Sequence, residues 1–246
     1  MARELAPNDP SVKVALVTGA GSGIGRATAI ALSALGYRLF LVGRRRDPLL
    51  ETGSLLKGES AAYVCDLADP RATSACVDEA IRQLGRLDVL VNNAGYAASL
   101  TIDQHTPELI EETFRVNAIA PAAMIARAWP HFAELFTSRR GSGIIVNVSS
   151  FATIDPFPGF FAYAASKSAL NMLTQLAATN GEAIGVKAFC VAPGAVETPM
   201  LRSIVDTATL PPERTLTPES VASTIAACVA GERDSMSGGL IPIPSG

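Results

Sequence analysis

Two adjacent serines, Ser149 and Ser150, are followed by Tyr163 and, four residues later, by Lys167. On a helix a spacing of four stacks both side chains on one face, neighbours across a turn. A phenol titrates near pH ~10, which makes it a poor proton donor or acceptor at neutral pH. An ammonium beside it favours the phenolate and draws that pKa toward the useful range. A serine hydroxyl close by could then hold a substrate oxygen while the tyrosine gives or takes its proton. Interconversion of a carbonyl and an alcohol by hydride transfer needs that set of groups. A Tyr-x-x-x-Lys pair alone is common on exposed helix faces, so the weight falls on the elements that would position it.

Composition narrows the classes. The chain has 246 residues, 48% hydrophobic and 17% charged, with a formal net charge of −3. That suits a globular protein with a large core. The mild acidity gives no electrostatic case for nucleic acid or an anionic membrane. Cys65, Cys76, Cys190 and Cys228 form no Cys-x-x-Cys pair and read as buried thiols in a reducing compartment. His105 and His131 lie far apart without metal-ligand spacing, so no metal is expected. Residues 1–11 are polar and proline-bearing, without the apolar core of a secretory signal, and read as a flexible N-terminal segment. No uninterrupted apolar run of about 18 residues suggests a membrane span. The expectation is a cytoplasmic protein of one domain, residues 1–246, since no linker or repeat interrupts the chain.

The positioning elements begin with a β-branched apolar run at residues 12–18, as a buried parallel strand should have. It enters Gly19-Ala20-Gly21-Ser22-Gly23-Ile24-Gly25, then a helix over 26–35 closed by Gly36. Strand, glycine turn and helix together make a dinucleotide cradle: the turn lets backbone approach a pyrophosphate, and the helix N-terminus offers N–H groups and positive dipole. Further strands are expected at residues 38–43, 61–65, 87–91, 143–148, 186–191 and 240–244. Helices are expected at 70–84, 114–136, from Tyr163 to about Gly181, and at 218–231. Such alternation gives a parallel sheet with right-handed crossovers. Pro242 and Pro244 confine the last strand to an edge. The second strand ends at Gly43, where an NAD site usually has a carboxylate, and Arg44, Arg45 and Arg46 follow. Guanidinium pairs well with phosphate, which favours NADP with Arg44 at the 2′-phosphate; Asp47 keeps NAD open.

The motifs Thr18-Gly19-x-x-x-Gly23-x-Gly25, Asn92-Asn93-Ala94-Gly95, Ser150 thirteen residues before Tyr163, Tyr163-x-x-x-Lys167, and Pro193-Gly194 with Thr198 stand in a familiar order. In these the chain resembles the short-chain dehydrogenase/reductase family, over roughly residues 12–243. The resemblance implies an α/β fold, a Rossmann-type doubly wound parallel sheet of about seven strands with helices on both faces. It implies catalytic roles for Asn117, Ser150, Tyr163 and Lys167. Asn117 would distort its helix and anchor a water connected to the lysine, while Ser149 would support the loop. Cofactor contacts are implied at Gly19, Ser22, Gly23, Ile24 and Gly25, with Arg44 beyond them. Asp66 would bond the adenine beside Leu67, and Asn93, Ala94 and Gly95 would line the cleft. Tyr163 and Lys167 would also touch the cofactor. Pro193, Gly194, Val196 and Thr198 would hold the nicotinamide carboxamide.

The family further implies a small-molecule carbonyl or alcohol substrate and a homo-oligomer, tetramer or dimer. The chain departs from the family's usual Asp-Gly-Gly ending at Pro242 and Pro244, which puts the usual C-terminal subunit contacts in doubt. Phe151, Phe157, Pro158, Phe160 and Phe161 could line an apolar substrate pocket or pack a loop and a subunit contact. Residues 201–217, with Pro211-Pro212, are a short candidate lid. The favoured activity is NADPH-dependent reduction of a ketone of 3-oxoacyl type. The alternatives are an NAD-dependent alcohol dehydrogenase of the same family, an epimerase or dehydratase using the cofactor transiently, and a non-catalytic nucleotide-sensing protein on this fold.

Overall fold

Apolar runs punctuated by glycine and proline form the strands of a computed structural model that describes residues 11–246. The expected flexible segment thus lies, Ser11 apart, outside the described residues. In chain order the elements are β1 (Val14–Thr18), α1 (Gly23–Ala34), β2 (Arg38–Gly43), α2 (Arg46–Ser54), β3 (Ser60–Val64), α3 (Pro70–Leu84) and β4 (Val89–Asn92). There follow α4 (Pro107–Phe114), α5 (Ala120–Thr137), β5 (Ile144–Val148), α6 (Phe161–Gly181) and β6 (Lys187–Pro193). The last are α7 (Pro199–Arg202), α8 (Pro218–Val229) and β7 (Leu240–Ile243).

All seven strands are parallel, in the order β3-β2-β1-β4-β5-β6-β7. β1 is buried at every position, as a strand covered on both faces must be. Its side chains alternate between two cores: Val14 and Leu16 point into one, Ala15 and Val17 into the other. The first core is closed by α3, α5 and α6, through residues such as Val77, Met124, Phe132 and Ala177. The second is closed by α1, α2 and α8, through Leu32, Leu49 and Ile225. This is the expected doubly wound sheet of Rossmann type. β1 and β4 are neighbours, and the strand order reverses between them, which opens a crevice at their C-terminal ends.

Two departures from the sequence reading matter. α2 was not anticipated: Asp47-Pro48 and Gly53 obscure its period, and only Leu49 and Thr52 are buried. The single helix expected over 114–136 is instead two. α4 starts earlier, at Pro107, where the Thr106 hydroxyl accepts from Leu109 N. A π-helical turn over Arg115–Ile119 then separates it from α5. β7 does sit at the sheet edge, with Pro242 in it.

The N-terminal edge of the sheet is closed by a buried ion pair. Asp88 accepts from Arg86 Nε at 2.8 Å and from Val14 N at 2.9 Å, and Arg86 also donates to the Arg140 carbonyl at 3.0 Å. Beside it the backbone N–H of Leu87 donates to His131 Nε2 at 3.0 Å. That bond requires a neutral imidazole, and burial holds the His131 pKa below its ordinary value. A depressed histidine pKa means the unfolded chain binds more protons, so stability present above pH ~6.5 declines as pH falls below it. The melting temperature should therefore drop between about pH 7 and 5.5 in wild type and less steeply in His131→Gln. Equal slopes in the two proteins would contradict the role of His131.

Candidate active site

The crevice is built first from backbone. Thr18 ends β1 with its hydroxyl buried, accepting from the N–H groups of Asn93 and Ala94, both at 2.9 Å, and donating to the Val91 carbonyl. The Asn93 amide donates to the Thr18 carbonyl at 2.8 Å. These bonds hold the Asn92-Asn93-Ala94-Gly95 turn against the glycine turn. Gly19 and Gly23 have φ of 65° and 51°, left-handed backbone that favours glycine. A Cβ on Gly25 would strike the Gly19 carbonyl and come within 2.5 Å of the Asn93 amide nitrogen. One on Gly23 would lie 2.9 Å from Thr198 Cγ2, so the β6–α7 connection covers the same turn.

The residues fit a dinucleotide. α1 starts at Ser22 with no side-chain cap and no acidic residue in its first turn, which leaves first-turn N–H groups and positive dipole facing the crevice. Sequence reasoning missed the buttress of this turn. Arg26 donates to the Gly21 carbonyl at 2.8 Å and to both Glu51 carboxylate oxygens, and the Thr52 hydroxyl donates to the Ala20 carbonyl at 2.9 Å. Its partners lie in the unanticipated α2, which is why no local signal pointed to it. Ile24 packs against the second core. Arg44, Arg45 and Arg46 are exposed, and their side chains make no hydrogen bond or ion pair within the described residues. Asp66 is exposed, with Oδ1 accepting from Ala68 N at 3.0 Å, and Leu67 beside it is buried. Gly194 N donates to the Ile243 carbonyl, and Ser245 packs on Gly194, so the C-terminal segment backs the Pro193-Gly194 turn. Val196 is buried and accepts from the Thr198 hydroxyl at 3.1 Å; Thr198 in turn caps α7.

The candidate acid-base residues arrive on β5, α6 and the π-turn. Ser149 and Ser150 follow β5 directly, and they diverge as neighbours on an extended chain must. The Ser149 hydroxyl turns inward to Asn171, while Ser150 caps a short 3-10 turn, Phe151–Thr153, accepting from Ala152 N at 3.2 Å. Tyr163 and Lys167 lie one turn apart on α6, with Lys167 Nζ 5.9 Å from the Tyr163 ring centre. Asn117 falls in the π-turn, fully buried, where such turns often mark functional sites. Its side chain bonds Tyr96 at both N and O, 2.8 Å each, and donates to the Ser166 hydroxyl at 2.9 Å. A Cβ on Gly95 would sit 3.4 Å from Asn117 Oδ1, 3.6 Å from Lys167 Nζ and 3.7 Å from Met200 Cε. Gly95 therefore floors the pocket between them.

One expectation is corrected. Proximity to Lys167 was to lower the Tyr163 pKa, but Nζ, 5.9 Å from the ring centre, donates to the Val148 carbonyl at 2.7 Å. Burial instead pushes the Tyr163 phenol above its ordinary value, opposed by a hydrogen bond from Ser150, and burial brings Lys167 down to about 8. The Ser150 hydroxyl favours tyrosine ionisation in this geometry. Of the aromatics, Phe160 packs edge-on against Tyr163, ring centres 5.7 Å apart, and Phe157 packs on Phe160 at 4.8 Å. Phe161 packs edge-on against His105. The candidate lid is more ordered than a loop: Arg202 pairs with Glu197 and donates to the Leu210 carbonyl at 2.8 Å. All four cysteines are buried free thiols. No helix among the described residues is long and apolar enough to cross a membrane.

The family profile described as short chain dehydrogenase matches residues 13–209. A Streptomyces violaceoruber protein named as a ketoacyl reductase of the granaticin polyketide synthase is 36% identical over 233 residues, 90% of this chain and 91% of that one. The 3-oxoacyl-[acyl-carrier-protein] reductase FabG of Thermotoga maritima is 31% identical over 243 residues, 95% of this chain and 97% of its own. The crystal structure of a 3-ketoacyl-(acyl-carrier-protein) reductase from Brucella melitensis, complexed with NADH, superposes with a TM-score of 0.87 at 26% identity, covering 94% of this chain and 96% of that one. The chain belongs to the short-chain dehydrogenase family. It is an oxidoreductase of the NAD(P)-dependent class.

Proposed function

We propose that this protein is an NADPH-dependent reductase of ketones of the 3-oxoacyl type, with Ser150, Tyr163, Lys167 and Asn117 as its catalytic residues. The observation that carries the reading is the meeting of a bare helix N-terminus and glycine cradle with a serine–tyrosine pair on the same crevice. The glycine turn with Ser22 and Ile24, Asp66, Leu67, the Asn93-Ala94-Gly95 turn, Pro193, Gly194, Val196, Thr198 and Lys167 would hold the dinucleotide. The nicotinamide, when bound, supplies the hydride to the substrate carbon. Ser150 donates a hydrogen bond to the carbonyl oxygen and orients it. Tyr163 gives that oxygen its proton as negative charge develops there. Lys167 places a cation beside the tyrosine, and Asn117 holds the Gly95–Tyr96 segment and serves the proton relay from solvent. The Phe157–Phe160 stack ending on Tyr163 supports an apolar substrate.

The preference for NADPH rests on Arg44. It is exposed and unpaired within the described residues, following a strand end at Gly43 that has no carboxylate. Asp47 has another use, since it lies in the first turn of α2, where the dipole favours an acid. The Brucella relative with NADH bound keeps the alternative in view. A homo-oligomer is part of the reading, supported by Met172 and Leu176, both exposed on α6, with Leu176 lining a groove shared with Trp129 of α5.

Tyr163→Phe should lower kcat by at least about a thousandfold toward a panel of 3-oxoesters and aromatic ketones, with NADPH affinity within about threefold of wild type. Turnover within about tenfold of wild type would remove Tyr163 from the chemistry. In calorimetric titrations NADPH should bind at least about tenfold more tightly than NADH, and Arg44→Ala should erase most of that gap. Tighter NADH binding would reverse the arginine argument and direct the search to alcohol oxidation.

A further inference from the structure

We infer that Asn171 is a positioning residue for Ser150, its side chain fixing the serine turn to the helix that carries Tyr163 and Lys167. The inference rests on the catalytic reading above. Asn171 lies on α6 one turn beyond Lys167 and two beyond Tyr163. Its Oδ1 accepts from the Ser149 hydroxyl at 2.5 Å and from Cys190 Sγ at 3.1 Å. Its Nδ2 donates to the Thr153 hydroxyl at 3.0 Å. Thr153 closes onto Ser150 twice, through its hydroxyl at 2.8 Å and its backbone N–H at 3.1 Å, both to the Ser150 carbonyl. One amide thereby joins α6, the end of β5, the Phe151–Thr153 turn and β6.

The geometry separates this role from general support of the fold. α6 is already moored to the sheet on either side of Asn171, where Leu170 is buried and Asn147 Nδ2 donates to the Thr174 hydroxyl at 2.8 Å. The bonds of Asn171 go to the site side of the helix. The serine turn has left the sheet ladder, and past it Ile154 and Phe157 are exposed. Within the described residues the Asn171–Thr153 bond ties that turn to α6 at its far end, and the Ser150–Tyr163 interaction does so at its near end. Ser149 and Cys190 are buried, and their hydroxyl and thiol both donate to the amide oxygen; the Ser149 hydroxyl also reaches the Lys167 carbonyl at 3.5 Å. Displacement of a reacting group by about 1 Å can cost on the order of a hundredfold in rate. Loss of one tether to a turn that keeps its internal bonds should cost less.

The test is a double-mutant cycle with Ser150, using the best ketone of the panel and NADPH. Asn171→Ala should lower kcat about tenfold, with the Kd for NADPH within about twofold of wild type. Thr153→Val cuts the same tether from the other end, together with the Thr153 hydroxyl's bond to the Ser150 carbonyl, and should lower kcat at least as much if Asn171→Ala folds poorly. On a Ser150→Ala background either change should alter kcat by less than about twofold, because the group it positions is gone. Equal losses on both backgrounds, or a wild-type kcat in both single variants, would overturn the inference. A wild-type kcat in Ser150→Ala itself would instead overturn the catalytic reading on which it stands.

Discussion

The structure depends on how closely two backbone turns can approach where β1 and β4 part. Thr18 makes this possible from inside the sheet, since its buried hydroxyl collects two N–H groups from the neighbouring turn and returns one bond to β4. A buried donor left without a partner costs about 1–3 kcal/mol, so each of these groups is held by the others. With the turns fixed, Gly25 can lie against Gly19 and Asn93 with no room for a Cβ, and α1 begins at the mouth of the crevice. Arg26, Glu51 and Thr52 brace the same turn from its outer side. The cofactor cradle is thus an outcome of backbone packing, and few of its parts are side chains.

The acid-base groups reach this crevice by a different route. β5 ends at the serines, α6 presents tyrosine and lysine on one face, and the π-turn brings Asn117 inward. Desolvation governs their electrostatics: it raises the phenol and lowers the ammonium. The Lys167 head donates to the Val148 carbonyl, and the Ser150 hydroxyl favours the phenolate.

Much of this was legible in the sequence, and the reasons differ by residue. Ser150, Tyr163, Lys167 and the glycine turn carry their information in short spacings, and the seven strands announce themselves as apolar runs between breakers. The kink at Asn117 was expected only by resemblance, and its bonds to Tyr96 and Ser166 connect residues far apart in sequence. α2 was missed because a proline and a glycine interrupt a nine-residue helix with two buried positions. Spacing placed Lys167 beside Tyr163 but gave no direction for its flexible chain, so the expected pKa effect did not follow. Asn171 looked like an ordinary helix residue until three segments converged on its amide.

The central claim is that a hydride and a proton are delivered separately to the two ends of one carbonyl, across this crevice. It is tested most directly by turnover of the ketone panel with NADPH deuterated at both C4 positions, followed by mass spectrometry and NMR of the product. The account predicts one deuterium, on the carbinol carbon, and none on the oxygen-bound or neighbouring positions. Alcohol formed without deuterium at that carbon, or no alcohol from any ketone with either dinucleotide, would contradict it.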